Sequence, residues 1–131
     1  MILVDTTVWV DYFNGIENLQ TESLDRILTE QSFLVGDIIL TEILQGFDND
    51  KEFKLVKQAL NPLDCVHLGD KSLAIKAISN FRFLRSKGVT IRKTVDMLIG
   101  SWCIEYEVEL LHNDKDFDHM ATQLPLQIYV D

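Results

Sequence analysis

The chain has 131 residues, of which 47% are hydrophobic and 25% are charged, and its formal net charge is −9. This length and apolar content predict a single domain over residues 1–131 and exclude a disordered or collagen-like chain. No apolar run reaches the ~20 residues that cross a membrane, and the start of the chain lacks the basic region of a signal peptide. We therefore expect a cytoplasmic protein without a membrane partner, in which Cys65 and Cys103 are buried thiols.

Short apolar runs alternate with helical patterns along the chain. The runs predict strands at residues 2–4, 32–35, 63–68, 109–112 and 127–130. Between them, apolar residues recur at helical spacing, and the longest of these predicted helices ends near Gly88. Strands that are apolar throughout and separated by helices indicate an α/β fold with a mostly parallel sheet of about five strands, covered on both faces. Active sites in such sheets lie at the carboxyl ends of the strands.

The basic residues are unevenly distributed. Residues 71–95 contain seven of the twelve Lys and Arg residues and no Asp or Glu. The overall negative charge disfavours a polyanionic partner, but this segment indicates one over part of the surface. The alternative is a solvated helix face whose charges pair with acids from other elements. Because the same helix is expected to bury Leu73, Ile78, Phe81 and Leu84, only some of its cations can face one ligand.

Five acidic residues stand at positions where chemistry is expected. Asp5 follows the first strand, Asp114 and Asp116 follow the fourth, Glu42 lies in an apolar helix and Asp96 begins another. Each alone is also explained as a helix cap, a first-turn acid or a solvent-facing side chain. If four of them converge, each pair at about 5 Å repels by ~3 kcal/mol at an effective dielectric of 20, which a cation would offset. Oxygen ligands favour Mg²⁺ or Mn²⁺, and the His and Cys spacing does not suit zinc.

Taken together, these motifs resemble a PIN domain, and more narrowly the VapC ribonuclease toxins of bacterial toxin–antitoxin modules. The resemblance covers essentially the whole chain and departs at Gly100-Ser101-Trp102, where the family often has an alanine-rich run. The motifs that carry it are Asp5-Thr6-Thr7, Glu42 followed by Gly46, Val95-Asp96-Met97-Leu98-Ile99-Gly100 and Asn113-Asp114-Lys115-Asp116-Phe117.

The resemblance implies a three-layer α/β/α fold and an acidic catalytic and metal site made by Asp5, Glu42, Asp96 and Asp114. By the same resemblance, Asp116 assists as a metal ligand, and the hydroxyl of Thr6 or Thr7 lies near the metal or a phosphate. The residues then allow hydrolysis of RNA phosphodiester bonds assisted by Mg²⁺, or by Mn²⁺ in its place.

The implied partners are an RNA substrate, with tRNA among the candidates, a cognate antitoxin and a second copy of the chain in a homodimer. The basic segment is the expected RNA-facing surface, and its strongest candidates precede Asp96 in sequence. The RNA-binding candidates are Arg92, Lys93, Arg85 and Lys87.

Two other interpretations remain open from the residues. The first is a non-catalytic interaction or receiver-like domain that binds Mg²⁺ in the acidic pocket, although a receiver usually begins with paired acids and Asp5 stands alone. The second is another metal-dependent phosphohydrolase. The first helix also carries Val8, Trp9, Tyr12 and Phe13, which either pack in the core or form a partner groove.

Overall fold

Four short strands and seven helices alternate along residues 1–130, the part of the chain that this computed structural model describes. In chain order they are β1 (Ile2–Val4), α1 (Thr6–Phe13), α2 (Leu19–Glu30), β2 (Phe33–Gly36), α3 (Asp37–Gln45), α4 (Asp50–Leu60), β3 (Cys65–Val66), α5 (Lys71–Ser86), α6 (Thr94–Tyr106), β4 (Glu109–Leu111) and α7 (Lys115–Ala121). The predicted α/β class is confirmed.

The strands form one parallel sheet in the order β3-β2-β1-β4. In the centre, Ile2 pairs with Phe33 on one side and with Glu109 on the other. All three residues of β1 are at most 1% exposed, so helices cover both faces and the arrangement is three-layered. The carboxyl ends of β1 and β4 lie side by side, because Asp5 N donates a 2.9 Å hydrogen bond to Leu111 O.

The sheet has four strands within residues 1–130, rather than the five expected. The run at 127–130 contributes only one isolated parallel bridge, between Leu110 and Ile128. Two hydrogen bonds around that bridge complete the contact, which is too short to continue as a strand. The run at 63–68 is reduced to the edge strand β3, and Cys65 on it is exposed, contrary to expectation, since no strand covers that edge.

The predicted helices are present, with one difference in which face of α5 is buried. Leu73, Ala77 and Leu84 are buried, whereas Ile78, expected inside, is 53% exposed. The aromatic residues of α1 belong mainly to the core: Trp9 is 2% exposed and stacks on Phe13 with 5.8 Å between ring centroids. Within residues 1–130, no helix has the length and apolar character needed to cross a bilayer.

Packing explains why Gly100 stands where the resemblance leads one to expect an alanine-rich run. Gly100 is buried on α6, and a Cβ atom there would overlap the side chain of Met120 on α7. Met120 is itself fully buried, so it has little room to move away. Glycine therefore lets α6 and α7 pack closely. This contact helps to fix the relative placement of the two helices whose starts carry Asp96 and Asp114.

Candidate metal and active site

The four predicted catalytic acids line one cavity of about 430 Å³. Asp5 caps α1 directly after β1, and Asp114 caps α7 after β4. Asp96 lies in the first turn of α6, and Glu42 projects from α3. Because β1 and β4 are parallel neighbours, their following residues meet at the same edge of the sheet, as the sequence pattern predicts.

Asp5 is buried and tightly held by the start of α1. Its Oδ2 accepts hydrogen bonds from Thr7 N at 3.1 Å and from Thr7 Oγ1 at 2.6 Å. Burial nevertheless raises the pKa of Asp5 above its ordinary value, against the lowering effect of these bonds and with a further rise from Glu42. The carboxylate is therefore costly to keep charged unless a cation lies nearby.

The two threonines direct their hydroxyls at acids. Thr6 Oγ1 donates to Glu42 Oε1 at 2.7 Å. Thr7 Oγ1 donates to Asp5 and accepts from Asn113 N at 3.1 Å, so it joins the end of β1 to the segment that follows β4. Both hydroxyls thus orient carboxylates, and a direct contact of either with metal or phosphate stays a prediction.

Asp96 is the most perturbed acid of the cavity. It is 6% exposed, and burial raises its pKa to about 7, with further increases from the charges of Asp5, Asp114 and Glu42. Lys93 acts in the opposite direction but does not compensate. Among residues 1–130, no group donates a hydrogen bond to the buried Oδ2 of Asp96. Asp96 thus combines an unpaired buried oxygen with repulsion from neighbouring acids, and a bound cation would offset both costs.

Asp96, Asp114 and Asp116 come close enough to share one ion. One carboxylate oxygen from each lies within 4.8 Å of the other two. Asp114 also accepts a 2.9 Å hydrogen bond from Asp116 N, which fixes the first turn of α7. Asp5 and Glu42 line the cavity together with Asp96 and Asp114, whereas Asp116 does not line it. All of these donors are carboxylate oxygens, which fit a hard divalent cation.

The four RNA-binding candidates differ in their position relative to the acidic cavity. Lys93 lines the acidic cavity, whereas Arg92, Arg85 and Lys87 are exposed and do not line it. Arg85 and Lys87 each lie over an aromatic ring of their own helix, one turn earlier, at 5.6 Å from the ring centroid. Only Lys93 therefore stands beside the acids, and RNA binding by these residues stays a prediction.

Two polar residues of the cavity wall have no role predicted from the sequence. Asp11 lines the cavity from α1 and accepts a 3.2 Å hydrogen bond from Asn18 Nδ2. It follows Thr7 by one helical turn, a spacing that could have indicated the shared face. Asn113 lines the cavity too, with its side-chain amide 3.5 Å from Asp11.

Comparisons with known proteins agree with this fold. A family model described as PIN domain matches residues 2–123. The ribonuclease VapC11 of Mycobacterium tuberculosis is 30% identical over 129 residues, which make up 97% of this chain and 96% of that protein.

Two solved structures are similar over nearly their whole length. FitAcB from Neisseria gonorrhoeae has a TM-score of 0.78 at 16% identity, covering 99% of this chain and 97% of the other. VapBC2 from Rickettsia felis, bound to a DNA fragment from its promoter, has a TM-score of 0.74 at 19% identity, covering 98% and 96%. At these identities, the likeness is one of fold.

Proposed function

The chain belongs to the PIN domain family, and on this premise we propose that it is a divalent-metal-dependent endoribonuclease that acts as the toxin of a toxin–antitoxin pair. The observation that carries the proposal is the convergence of Asp96, Asp114 and Asp116 within 4.8 Å, beside an unpaired buried oxygen of Asp96. Similarity to a ribonuclease along 97% of the chain supports the same reaction.

The metal ligands in this proposal are Asp96, Asp114 and Asp116, with Asp5 and Glu42 completing the catalytic site. If Mg²⁺ or Mn²⁺ were held there, it would supply an activated water and would offset charge on the scissile phosphate and the leaving oxygen. The protein's own part is to hold its carboxylates in a fixed orientation. Thr7 does this for Asp5, and Thr6 does it for Glu42.

The proposed substrate is RNA, with tRNA among the molecules to test. Lys93 adjoins the acids and would contact a phosphate next to the one that is cleaved, with Arg92 beside it in sequence. The proposed protein partners are an antitoxin, in line with the VapBC assembly from Rickettsia felis, and a second copy of this chain. We place this activity in the cytoplasm, where RNA substrates are found.

The receiver-like alternative has no specific support. A receiver usually carries paired acids near the end of its first strand, whereas Asp5 stands alone there. The matching family model and the ribonuclease relative both favour the nuclease.

The deciding experiment is a cleavage assay with purified protein on pooled tRNA and on a labelled single-stranded RNA. We expect cleavage with Mg²⁺ or Mn²⁺, none with EDTA, and a loss of about 100-fold or more in Asp96→Asn. Removing a metal ligand should cost at least as much as removing a group that only holds a ligand in place. Asp50→Asn, the same change at an exposed first-turn acid of α4, is the matched control and should cleave normally. Cleavage that persists in EDTA and in folded Asp96→Asn would contradict the proposal.

A further inference from the structure

His112 is a buried side chain next to the acidic cavity that the proposed reaction does not use. It directly follows β4 and is 7% exposed. Its Nδ1 accepts a 3.0 Å hydrogen bond from Asp114 N, so the neutral ring carries its proton on Nε2. Nε2 lies 3.3 Å from Asp118 Oδ1, and the ring packs on Phe117 with 5.1 Å between centroids.

This hydrogen bond is the first of two that hold the turn carrying the metal-site acids. His112 accepts from Asp114 N, and Asp114 in turn accepts from Asp116 N through its Oδ1. Each bond joins a side chain to the backbone two residues later, so the two act in series. The direction of the Asp114 carboxylate therefore depends on where His112 holds the Asp114 backbone.

The opposite side of the turn is held by α1. Asn113 N donates to Thr7 Oγ1 at 3.1 Å, and Thr7 bonds Asp5. The segment after β4 is thus fixed at two consecutive backbone amides, by Thr7 at Asn113 and by His112 at Asp114. Loss of the second bond would leave the Asp114 amide without its acceptor and the turn anchored at only one of these amides.

We propose that His112 is a positioning residue that orients Asp114 and Asp116 for the divalent cation, an inference that rests on the proposed function. It does not contact the cation or the substrate. Its imidazole acts as a fixed hydrogen-bond acceptor, and its contact with Phe117 keeps the ring in place. Removing a group that holds metal ligands in place commonly changes metal affinity by about 10- to 100-fold.

A purely structural role, in which the ring only fills space, makes the opposite prediction for two variants. His112→Asn removes the ring but places an amide oxygen where Nδ1 lies, since both atoms are bonded to Cγ. His112→Leu keeps apolar bulk against Phe117 but has no acceptor. If His112 positions the acids, His112→Asn should bind Mn²⁺ more tightly than His112→Leu. If the ring only fills space, His112→Leu should bind more tightly than His112→Asn.

The experiment measures Mn²⁺ binding to the full chain without RNA, by the electron paramagnetic resonance signal of free Mn²⁺. We expect His112→Leu to bind about 10- to 100-fold more weakly than the unmodified protein and His112→Asn to stay within about threefold. His67→Leu, at an exposed histidine, is the matched control and should bind normally. In RNA cleavage, His112→Leu should lower kcat and leave KM for RNA nearly unchanged.

If His112→Leu does not fold, His112→Gln takes its place, because its amide oxygen lies one bond too far out to reach Asp114 N. Mn²⁺ affinity of that variant should again fall below that of His112→Asn. Equal affinity in all variants, or weaker binding by Asn than by Leu, would overturn the positioning role alone. Absence of Mn²⁺ binding by the unmodified protein would overturn the proposed metal site, and this inference with it.

Discussion

The acidic cavity and the basic segment at residues 71–95 carry opposite charge and are built differently. The acids come from four separate elements that parallel strand order brings together. Asp5 and Asp96 are buried, and Asp5, Glu42 and Asp114 accept hydrogen bonds from backbone or hydroxyl groups. The cations come from one helix and the loop after it, and they are exposed. The cations that contact another side chain do so separately rather than in one shared site. Lys76 pairs with Glu105, and Arg85 lies over Phe81.

The difference in burial determines how strongly each region responds to change. Water cannot screen the buried acids, so they interact with one another, and the pKa of Asp96 rises to about 7. Exposed cations are solvated and screened by salt, so each contributes little alone. Substitutions in the cavity should therefore change stability and chemistry, whereas substitutions in the basic segment should change mainly affinity and its salt dependence.

The largest effect on stability is expected for Asp96→Asn in metal-free protein. Because the pKa of Asp96 is raised in the folded state, the folded protein holds this proton more strongly than the unfolded chain, and wild-type stability falls as pH rises from about 4 to about 7. The variant lacks this loss, so its free energy of unfolding at pH 8 should exceed that of wild type by on the order of 2–4 kcal/mol. At pH 4, the two should nearly agree.

Urea denaturation in EDTA at both pH values measures this difference, with Asp50→Asn as the control for an exposed acid. In buffer without EDTA, added Mn²⁺ should stabilise wild type and leave the variant nearly unchanged, because the ion binds only the folded site. Equal stability of wild type and Asp96→Asn at pH 8 would show that ionising Asp96 in the cavity does not destabilise the folded protein.

The next effect is expected from the threonine that joins two walls of the cavity. Thr7→Val keeps the shape of the side chain but removes the donor to Asp5 and the acceptor for Asn113 N. Stability should fall by about 1–3 kcal/mol. Thr6→Val removes one bond to Glu42 and should cost less. Thermal unfolding in EDTA gives the order, and a larger loss for Thr6→Val would contradict this account of the cavity walls.

The sequence pattern predicted that these acids come together, but it gave His112 no role and placed Thr7 only near a metal or phosphate. Asp5 and Asp114 each follow a strand, and parallel order places the ends of those strands together, so their approach follows from topology. His112 and Thr7 act through side-chain direction and backbone distance, which are set only when the strands are paired. No spacing rule could indicate that a histidine two residues before Asp114 accepts from its amide.

Three predictions outside the cavity were wrong because they too depend on how the elements pack together. The run at 127–130 has strand composition, yet a single bridge to β4 is all that forms. Cys65 stands in an apolar run, but its strand lies at the sheet edge, and edge position is a property of the whole fold. Ile78 follows the helical spacing of the core residues. The face of α5 that is buried contains Leu73, Ala77 and Leu84 but does not extend to Ile78, which is exposed.

A smaller effect is expected where the basic segment meets the cavity. Replacing Arg92 and Lys93 by Ala in the Asp96→Asn background should weaken binding of single-stranded RNA and flatten the salt dependence by roughly one unit of log–log slope. Lys93 should account for more of the change, because it alone of the two lines the cavity. Fluorescence anisotropy at several salt concentrations measures both quantities, and unchanged slopes would mean that RNA lies elsewhere.

The smallest effect is expected for the cations at the end of α5. Arg85 and Lys87 lie over rings of their own helix and do not line the cavity, so replacing both by Gln should change RNA affinity by less than about twofold. Loss of the two ring contacts should lower stability by at most about 1 kcal/mol, since exposed cation–π pairs are weak. The same anisotropy series tests them beside the Arg92 and Lys93 changes. If the Arg85 and Lys87 changes flatten the salt dependence more than the Arg92 and Lys93 changes do, RNA lies along α5 rather than at the start of α6. Binding would then depend on the excess positive charge of α5 rather than on proximity to the acids.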